Sequence, residues 1–369
     1  MKVLLVTKPL VPPWDDSAKN LARDIVQSLP DVRFNVLTTA GCSFGLKHVR
    51  EEPLYGAPGG YAPPLWNNVK VFLRLLKPDE MGLYHFFFAP NPRASLVAGL
   101  AMAMKGYQRS VQTVCSAPKS FEGVARLLFA DVAVAVSAHT RDRLREAGVK
   151  DARLIYPAVA RVETPTADEI LASRRRFGLP EDKTLALYAG DLEFSNAAST
   201  LVAALPEACR ASSLHVVFCN RWKTPAARAE RDRLQAEVKR MGLASRVVFL
   251  PPQTDLQPLL RGVDFWLMHP DTLYAKMDLP LVVLEAMGHG KPGILSDRPP
   301  LVEAFAGETA GILAPPGDAA ALANAMRALA EDAALRERCG RTAQAVARER
   351  FSFDRLAEAH RALYAEFQK

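Results

Sequence analysis

Short apolar runs alternate with amphipathic stretches along the first 160 residues of the chain. Residues 2–7 form the first apolar run, and Leu21, Ile25 and Leu29 follow at a spacing of four, which predicts one buried face of a helix. The alternation continues through segments 33–39, 64–76, 82–88, 93–105, 110–115, 131–137, 139–147 and 153–156. Such alternation of strands and helices predicts a parallel sheet with helices on both faces.

A second alternating series begins at residue 184. Its predicted strands are 184–189, 213–219, 246–250, 263–268, 293–296 and 311–314, and its predicted long helices are 318–331 and 333–349. Residues 157–183 contain three prolines and a charged patch but no clear strand, so the domain boundary is placed there. We predict an α/β protein with Rossmann-like domains at 1–160 and 161–350 and a closing amphipathic helix at 351–369.

The composition is typical of a soluble globular protein, with 49% hydrophobic and 24% charged residues. The five cysteines are scattered without a Cys-x-x-Cys pair, which favours a reducing cytoplasm and argues against a zinc site or a disulfide framework. The apolar segment at the amino terminus is too short for a signal peptide, and no apolar run is long enough to span a bilayer.

The positive charge is concentrated in the first predicted domain. Lys plus Arg outnumber Asp plus Glu by 20 to 13 in residues 1–160, a net +7, and the two are equal at 27 each in residues 161–369. This asymmetry predicts an anionic partner, such as phospholipid headgroups or a phosphorylated acceptor. A nucleic-acid partner is not predicted, because the basic residues are dispersed and not interleaved with aromatic ones.

Residues 65–77 place apolar side chains on one face of a predicted helix, with Trp66, Lys70, Arg74 and Lys77 beside it. Such a helix is able to lie on an anionic membrane, which would make the protein peripheral at the inner face of that membrane. A core helix with a basic outer face is the alternative, and the sequence favours it.

One carboxylate stands in the apolar stretch that follows residue 276. Leu281, Leu284 and Met287 predict a buried helix face with Glu285 at its centre, and a Gly-Lys-Pro turn comes next. The helix start near Leu279 to Leu281 would offer unpaired N–H groups to a phosphate. A carboxylate one to two turns further accepts hydrogen bonds from vicinal ribose hydroxyls, so the segment predicts a nucleotide-diphosphate pocket. The alternative is a buried glutamate that orders a turn.

Residues 280–292 resemble the donor-site signature of the family-four (group 1) retaining glycosyltransferases. Glu285 matches the second glutamate of that signature, and Ala286, Met287, Gly290 and Pro292 match its later positions. The position of the first glutamate holds Met277 instead, and the neighbouring Asp278 is the candidate to substitute for it in catalysis.

The resemblance implies the GT-B fold, in which two Rossmann-like domains face a cleft and a carboxyl-terminal helix crosses back to the first domain. It also implies transfer of a sugar, with retention of configuration, from a nucleotide-diphosphate sugar to a glycan, a lipid-linked or a small-molecule acceptor. No cofactor besides the donor is implied, and no metal, since the sequence has no Asp-x-Asp cluster.

The diphosphate site departs from the family pattern. The family places an Arg just after the Gly of the first strand of the second domain, whereas Gly190 is followed here by Asp191 and, two residues on, by Glu193. Two acidic groups facing a diphosphate would repel it, so at least one is expected to point away or to bind a sugar hydroxyl. We predict compensation from Arg221 and Lys223, which follow a neighbouring strand. A solvated loop is the alternative for these two residues, and Lys276 is a further candidate.

On the acceptor side, His85 precedes a Pro-Asn-Pro turn that resembles the acceptor-facing loop of the family. A catalytic role is predicted for it, with a satisfied core histidine as the alternative. Cys115 occupies the position of the family's catalytic-loop histidine and is expected to be a buried small residue. Lys119, in the same loop, is predicted to touch the sugar or phosphate.

The turn after the first strand supplies the remaining candidates. Asp16, Lys19 and Asn20 stand where the family has a Gly-Gly turn, and they are predicted to face the acceptor. Ser17 is the expected helix N-cap.

Two other function classes remain open on the sequence. Met277, Asp191 and Cys115 are unusual residues at three positions of the family pattern. They favour a catalytically degenerate nucleotide-sugar-binding or regulatory protein as the main alternative. A Rossmann oxidoreductase is disfavoured, because no Gly-x-Gly-x-x-Gly follows the strand at 2–7 or the strand at 184–189.

Overall fold

The computed structural model describes residues 1–56, 65–105, 109–210, 213–222, 224–274 and 276–368. The chain divides into two compact units. The first unit comprises Met1–Ala158, Lys276–Asp278 and Phe353–Lys369, and the second comprises Val159–Ala275 and Leu279–Ser352. These divisions fall two residues from the predicted domain ends at 160 and 350, and the short segment 276–278 belongs to the first unit although the prediction assigned it to the second domain.

Strands and helices alternate along both units. The strands of the described residues are β1 (Lys2–Val6), β2 (Arg33–Thr39), β3 (Val49–Tyr55), β4 (Leu83–Phe87), β5 (Ser110–Val114), β6 (Val132–Ala135), β7 (Ala152–Leu154), β8 (Thr184–Tyr188), β9 (Leu214–Cys219), β10 (Val247–Leu250), β11 (Phe265–Met268), β12 (Gly293–Ser296) and β13 (Gly311–Ala314). The helices are α1 (Ser17–Ser28), α2 (Leu65–Leu76), α3 (Pro92–Met104), α4 (Ala138–Glu146), α5 (Ala167–Arg176), α6 (Ala197–Ala208), α7 (Pro225–Arg240), α8 (Gln257–Gly262), α9 (Leu281–Gly288), α10 (Ala319–Glu331), α11 (Ala333–Arg350) and α12 (Phe353–Ala365).

Each unit is built on one parallel sheet. The strand order is β3-β2-β1-β4-β5-β6-β7 in the first unit and β10-β9-β8-β11-β12-β13 in the second. Both orders reverse direction once, between β1 and β4 and between β8 and β11. In doubly wound sheets of this kind, ligands bind outside the carboxyl ends of the strands at that switch point.

Buried apolar side chains hold helices against each sheet. In the first unit, α2 and α3 pack over Leu4, Tyr84 and Phe86. In the second, Tyr188, Phe218 and other strand residues form one cluster with the inner faces of α6, α7 and α10. The predicted class, an α/β protein with two parallel-sheet domains, is therefore confirmed.

The closing helix α12 belongs to the first unit. Leu356, Leu363 and Tyr364 are buried there, and α12 packs against α1. At its surface Arg361 pairs with Asp31.

Candidate functional site

The switch point of the second sheet leads to the loop after β8. Gly190 has no room for a side chain, because a Cβ there would lie 2.7 Å from the ring of Tyr188. The Tyr188 hydroxyl donates a hydrogen bond to the carbonyl of Asp191 (2.7 Å). The backbone at this strand end is therefore held by the last side chain of the strand.

The loop after β9 lies against the same glycine. Asn220 is buried and its side-chain amide donates to the carbonyl of Gly190 (2.6 Å). Arg221, the next residue, is partly buried. Lys223 lies outside the described residues. Asn220 was not among the predicted site residues, although it is a polar residue directly after a buried strand.

One of the two acidic side chains after Gly190 is engaged by the protein itself. The Thr224 hydroxyl donates to the carboxylate of Glu193 and accepts from the N–H of Ala227, so Thr224 also caps α7. Glu193 is therefore hydrogen-bonded to the residue that ends the loop carrying Arg221.

Two hydrogen bonds connect the loop after β11 with the loop after β8 and with the last residue of β12. The backbone N–H of Asn196 donates to the Asp271 carboxylate (2.8 Å). The Ser296 hydroxyl donates to the carbonyl of Pro270 (2.7 Å). These contacts give the carboxyl edge of the sheet a defined backbone.

Helix α9 carries the candidate carboxylate. It begins after Pro280, whose side chain makes no capping bond to the N–H groups of the first turn. Leu281 and Leu284 are buried, whereas Glu285 is only partly buried and lies one turn inside the helix. Leu279, another predicted donor-site residue, is fully buried ahead of the helix. The positive end of the helix dipole favours an anion at this end.

The residues that follow α9 are closely packed. Gly290 has a φ of +69°, which suits glycine at the end of a helix. A Cβ on Gly293 would lie 2.1 Å from the Trp266 ring, so no larger residue fits there. Lys291 is buried, its ammonium donates to the carbonyl of Arg261 (3.2 Å), and burial lowers its pKa to about 8. Glu285 is thus the polar residue of this stretch that remains partly accessible.

Asp278 does not occupy the place of a reactive group. Its carboxylate accepts from the Ser137 hydroxyl (2.6 Å) and the N–H of Ala117 (2.9 Å), while its own N–H donates to the Cys115 carbonyl (3.1 Å). The side chain is fully buried, and burial raises its pKa. These contacts correct the expectation that Asp278 substitutes for the missing glutamate, and we assign it a structural role. Lys276, two residues earlier, is also buried.

His85 likewise lies in the core of the first unit, with 0% of its surface exposed. One ring nitrogen bonds the Tyr364 hydroxyl (2.7 Å) and the other the Thr113 hydroxyl (2.7 Å). Burial holds the pKa of His85 well below its usual range. The predicted catalytic role is replaced by the alternative of a satisfied core histidine. Cys115 is buried as expected, and burial raises its pKa.

The predicted acceptor residues hold the loop before α1. Asp16 is the N-cap, accepting from the N–H groups of Ala18 and Lys19, so the expectation of Ser17 was wrong by one residue. The Lys19 ammonium donates to the carbonyl of Pro13, and the Asn20 amide donates to the carbonyl of Trp14. Burial lowers the pKa of Lys19.

Lys119 is the remaining candidate, and it is exposed on the loop after β5.

Within the described ranges, no group of three or more His, Cys, Asp and Glu side chains is arranged to hold a metal ion. No helix in that part of the chain combines the length and apolar character needed to cross a membrane.

Residues 169–346 match the family model for glycosyl transferases group 1. The match begins in α5 and ends in α11, and it includes Glu285. A D-inositol 3-phosphate glycosyltransferase of Streptomyces avermitilis is 31% identical over 217 residues, covering 57% of this chain and 46% of that protein. The protein of the same name from Streptomyces bingchenggensis is 30% identical over 219 residues, covering 58% of this chain and 47% of that protein. The chain thus spans about half the length of these curated relatives.

Solved structures share the fold. Anabaena Alr3699/HepE in complex with UDP and glucose superposes with a TM-score of 0.78 at 20% identity, covering 99% of this chain and 100% of that one. Sucrose-phosphate synthase from Thermosynechococcus elongatus gives 0.77 at 20% identity, covering 99% and 98%. These likenesses bear out the predicted α/β fold of the GT-B type.

Proposed function

We propose that this chain is a group 1 glycosyltransferase that moves a sugar from a nucleotide-diphosphate sugar to an acceptor. The observation that carries the proposal is Glu285, a partly buried carboxylate one turn inside a helix whose N-cap offers no side-chain bond. It lies within the segment that matches the family model. A carboxylate at this place suits the ribose hydroxyls, and the helix start suits the phosphates.

Arg221 is the proposed partner of the diphosphate in the second unit. It follows Asn220, whose amide donates to the carbonyl of Gly190, and its planar guanidinium matches two phosphate oxygens at once. Lys223 is proposed as a second cation on the same loop. UDP is the first nucleotide to test, since HepE is described in complex with UDP and glucose.

The proposed reaction retains the anomeric configuration and uses neither a protein nucleophile nor a metal. The leaving diphosphate would be stabilised by N–H groups and cations already in position, and the acceptor would be brought into line by binding alone. This assigns positioning and charge stabilisation to the protein, and no proton-transfer step to His85 or Asp278.

The acceptor is proposed to be anionic or lipid-linked. The net +7 of residues 1–160 supports a negatively charged acceptor. The curated relatives are named D-inositol 3-phosphate glycosyltransferases, and the compound in that name contains a phosphate. The five free cysteines, four of them buried, support a cytoplasmic location.

The test combines UDP calorimetry with an assay of donor turnover in the presence and absence of EDTA. Glu285→Gln is expected to weaken UDP binding and lower turnover, and Arg221→Gln to weaken UDP binding by roughly ten- to a hundredfold, because each removes a charged hydrogen-bond partner worth roughly 1.5–3 kcal/mol. EDTA is expected to leave turnover unchanged.

Exposed residues of the same types serve as controls. Glu308→Gln and Arg228→Gln alter side chains exposed elsewhere on the second unit and are expected to match the wild type. Unchanged binding and turnover in Glu285→Gln would refute the ribose assignment.

A catalytically degenerate nucleotide-sugar-binding protein is the second candidate. Met277 at the position of the first signature glutamate favours it, since the adjacent Asp278 is buried and already accepts hydrogen bonds from Ser137 and Ala117. Tight UDP binding without hydrolysis or transfer of any donor sugar would select this candidate.

A further inference from the structure

Helix α3 exposes four large apolar side chains and buries mainly small ones. Ser95, Ala98 and Ala101 face the core with Met102, whereas Leu96, Leu100 and Met104 are 74%, 53% and 62% exposed. Val97 is also exposed. A helix that only covered a sheet would bury the leucines, so this outward stripe calls for a separate explanation.

Helix α2 lies beside α3 and continues the stripe. The two helices contact each other and share one core cluster, which places them on the same face of the sheet. Trp66 and Leu73 of α2 are 65% and 53% exposed. Arg74, which was predicted to stand beside the apolar face of this helix, is instead buried.

Cations accompany the apolar stripes of both helices. Lys77 and Arg93 are exposed and Lys70 is partly buried, and each stands three or four residues from an exposed apolar side chain. Neither α2 nor α3 contains an acidic residue. The two carboxylates that follow α2 form ion pairs with cations outside this set. Asp79 pairs with Arg74 and Lys105, and Glu80 pairs with Lys2. The face is therefore both apolar and positive.

We propose that this α2–α3 face, formed by Trp66, Lys70, Leu73, Lys77, Arg93, Leu96, Val97, Leu100 and Met104, docks onto the surface of an anionic lipid bilayer. Leucine and methionine side chains would enter the acyl boundary, Trp66 would lie at the headgroup level, and the lysines would meet lipid phosphates. A symmetric contact with a second copy of the chain is disfavoured, because it would bring identical positive charges together.

Flotation with vesicles tests the docking without donor or acceptor, so its outcome is independent of the proposed glycosyl transfer. The full chain is expected to bind vesicles of an equal mixture of phosphatidylglycerol and phosphatidylcholine, to bind pure phosphatidylcholine weakly, and to bind less as salt increases. Lys70→Gln and Lys77→Gln are each expected to weaken binding about fivefold. The double variant Leu96→Ser/Leu100→Ser is expected to weaken it by about tenfold or more.

Matched controls are Lys150→Gln, at an exposed lysine outside the face, and Leu313→Ser, at an exposed leucine of β13. Both are expected to bind vesicles like the wild type, and circular dichroism with thermal unfolding checks that every variant is folded. The proposal is overturned if the wild type floats with neither vesicle, or if the face variants bind as well as the controls. Self-association in sedimentation velocity that Leu96→Ser/Leu100→Ser abolishes, without vesicle binding, would assign the face to a second copy instead.

Discussion

At the scale of single residues, variants of Asp278 distinguish a structural role of this side chain from a catalytic one. Its carboxylate is buried and accepts from Ser137 and Ala117. Asp278→Ala would leave those two donors without an acceptor. We expect it to lower the free energy of unfolding by roughly 2–4 kcal/mol, measured by urea denaturation.

The Asp278→Asn variant sharpens this test, because an amide keeps one acceptor oxygen. We expect smaller destabilisation than in Asp278→Ala and turnover that follows the folded fraction of the protein. Asp297→Ala, at an exposed carboxylate, is the control and should change little. Loss of turnover in a fully stable Asp278→Asn protein would restore the catalytic interpretation.

Tyr364→Phe tests the second reassigned residue. Removal of the hydroxyl leaves one ring nitrogen of His85 buried without its partner. We expect a loss of about 1–3 kcal/mol in unfolding free energy. Arg361→Ala, on the exposed side of the same helix, removes only a surface ion pair and should change the unfolding free energy much less. Equal effects of the two variants would contradict the buried bond.

At the scale of elements, the docking of α12 is expected to depend on pH through His360. Burial lowers the pKa of His360 to about 4, below the value of about 6.5 for an exposed histidine. Because the unfolded chain then binds more protons, the stabilising contribution is present above pH ~6.5 and is lost as the pH falls towards 4. His360→Gln should flatten this dependence, measured by hydrogen exchange of the α12 amides between pH 7 and 4.

The pH profile of His360→Gln has to be compared with that of the wild type, because Asp24 also titrates in this pH range. Burial raises the pKa of Asp24 to about 6, so its contribution has the opposite sign and is lost as the pH rises from about 4 to 6. The difference between His360→Gln and the wild type cancels this background. An unchanged pH profile in His360→Gln would show that other groups control the docking.

Hydrophobic period and length were enough to predict most elements, and the exceptions have local causes. Strand β3, with the sequence VREEPLY, lacks an apolar run, and it forms at the sheet edge, where Glu52 pairs with Arg74. Helix α5 falls in the segment assigned to the domain boundary. Its start is defined by a capping box of Thr166 and Glu169, whereas the prediction relied on the three prolines of this segment.

The site was predictable only where parallel topology dictates proximity. Gly190 and Asn220 follow adjacent strands, so their contact was foreseeable from strand order alone. The burial of Asp278 and His85 was not, because their partners stand 141 and 279 residues away in the sequence. No local pattern reports such distant contacts.

At the scale of the whole molecule, the proposed donor contacts lie in one of the two units. Glu285 and Arg221 belong to the second unit, whereas the acceptor candidates Asp16 and Lys19 belong to the first. A ligand that binds only the folded form stabilises it by an amount that depends on its concentration relative to Kd, about 2.7 kcal/mol at 100 times Kd. Slowed amide exchange then reports where that ligand binds.

We therefore expect UDP alone to protect amides after β8, after β9 and at the start of α9, and to leave β4 and α1 at their ligand-free rates. Hydrogen exchange with mass spectrometry measures both units in one experiment. Glu285→Gln at the same UDP concentration should show reduced protection at all three places, because a weaker Kd lowers the occupied fraction, while Glu308→Gln should match the wild type. Protection confined to the first unit would refute the donor assignment, since it would place the nucleotide beside the residues predicted here to meet the acceptor.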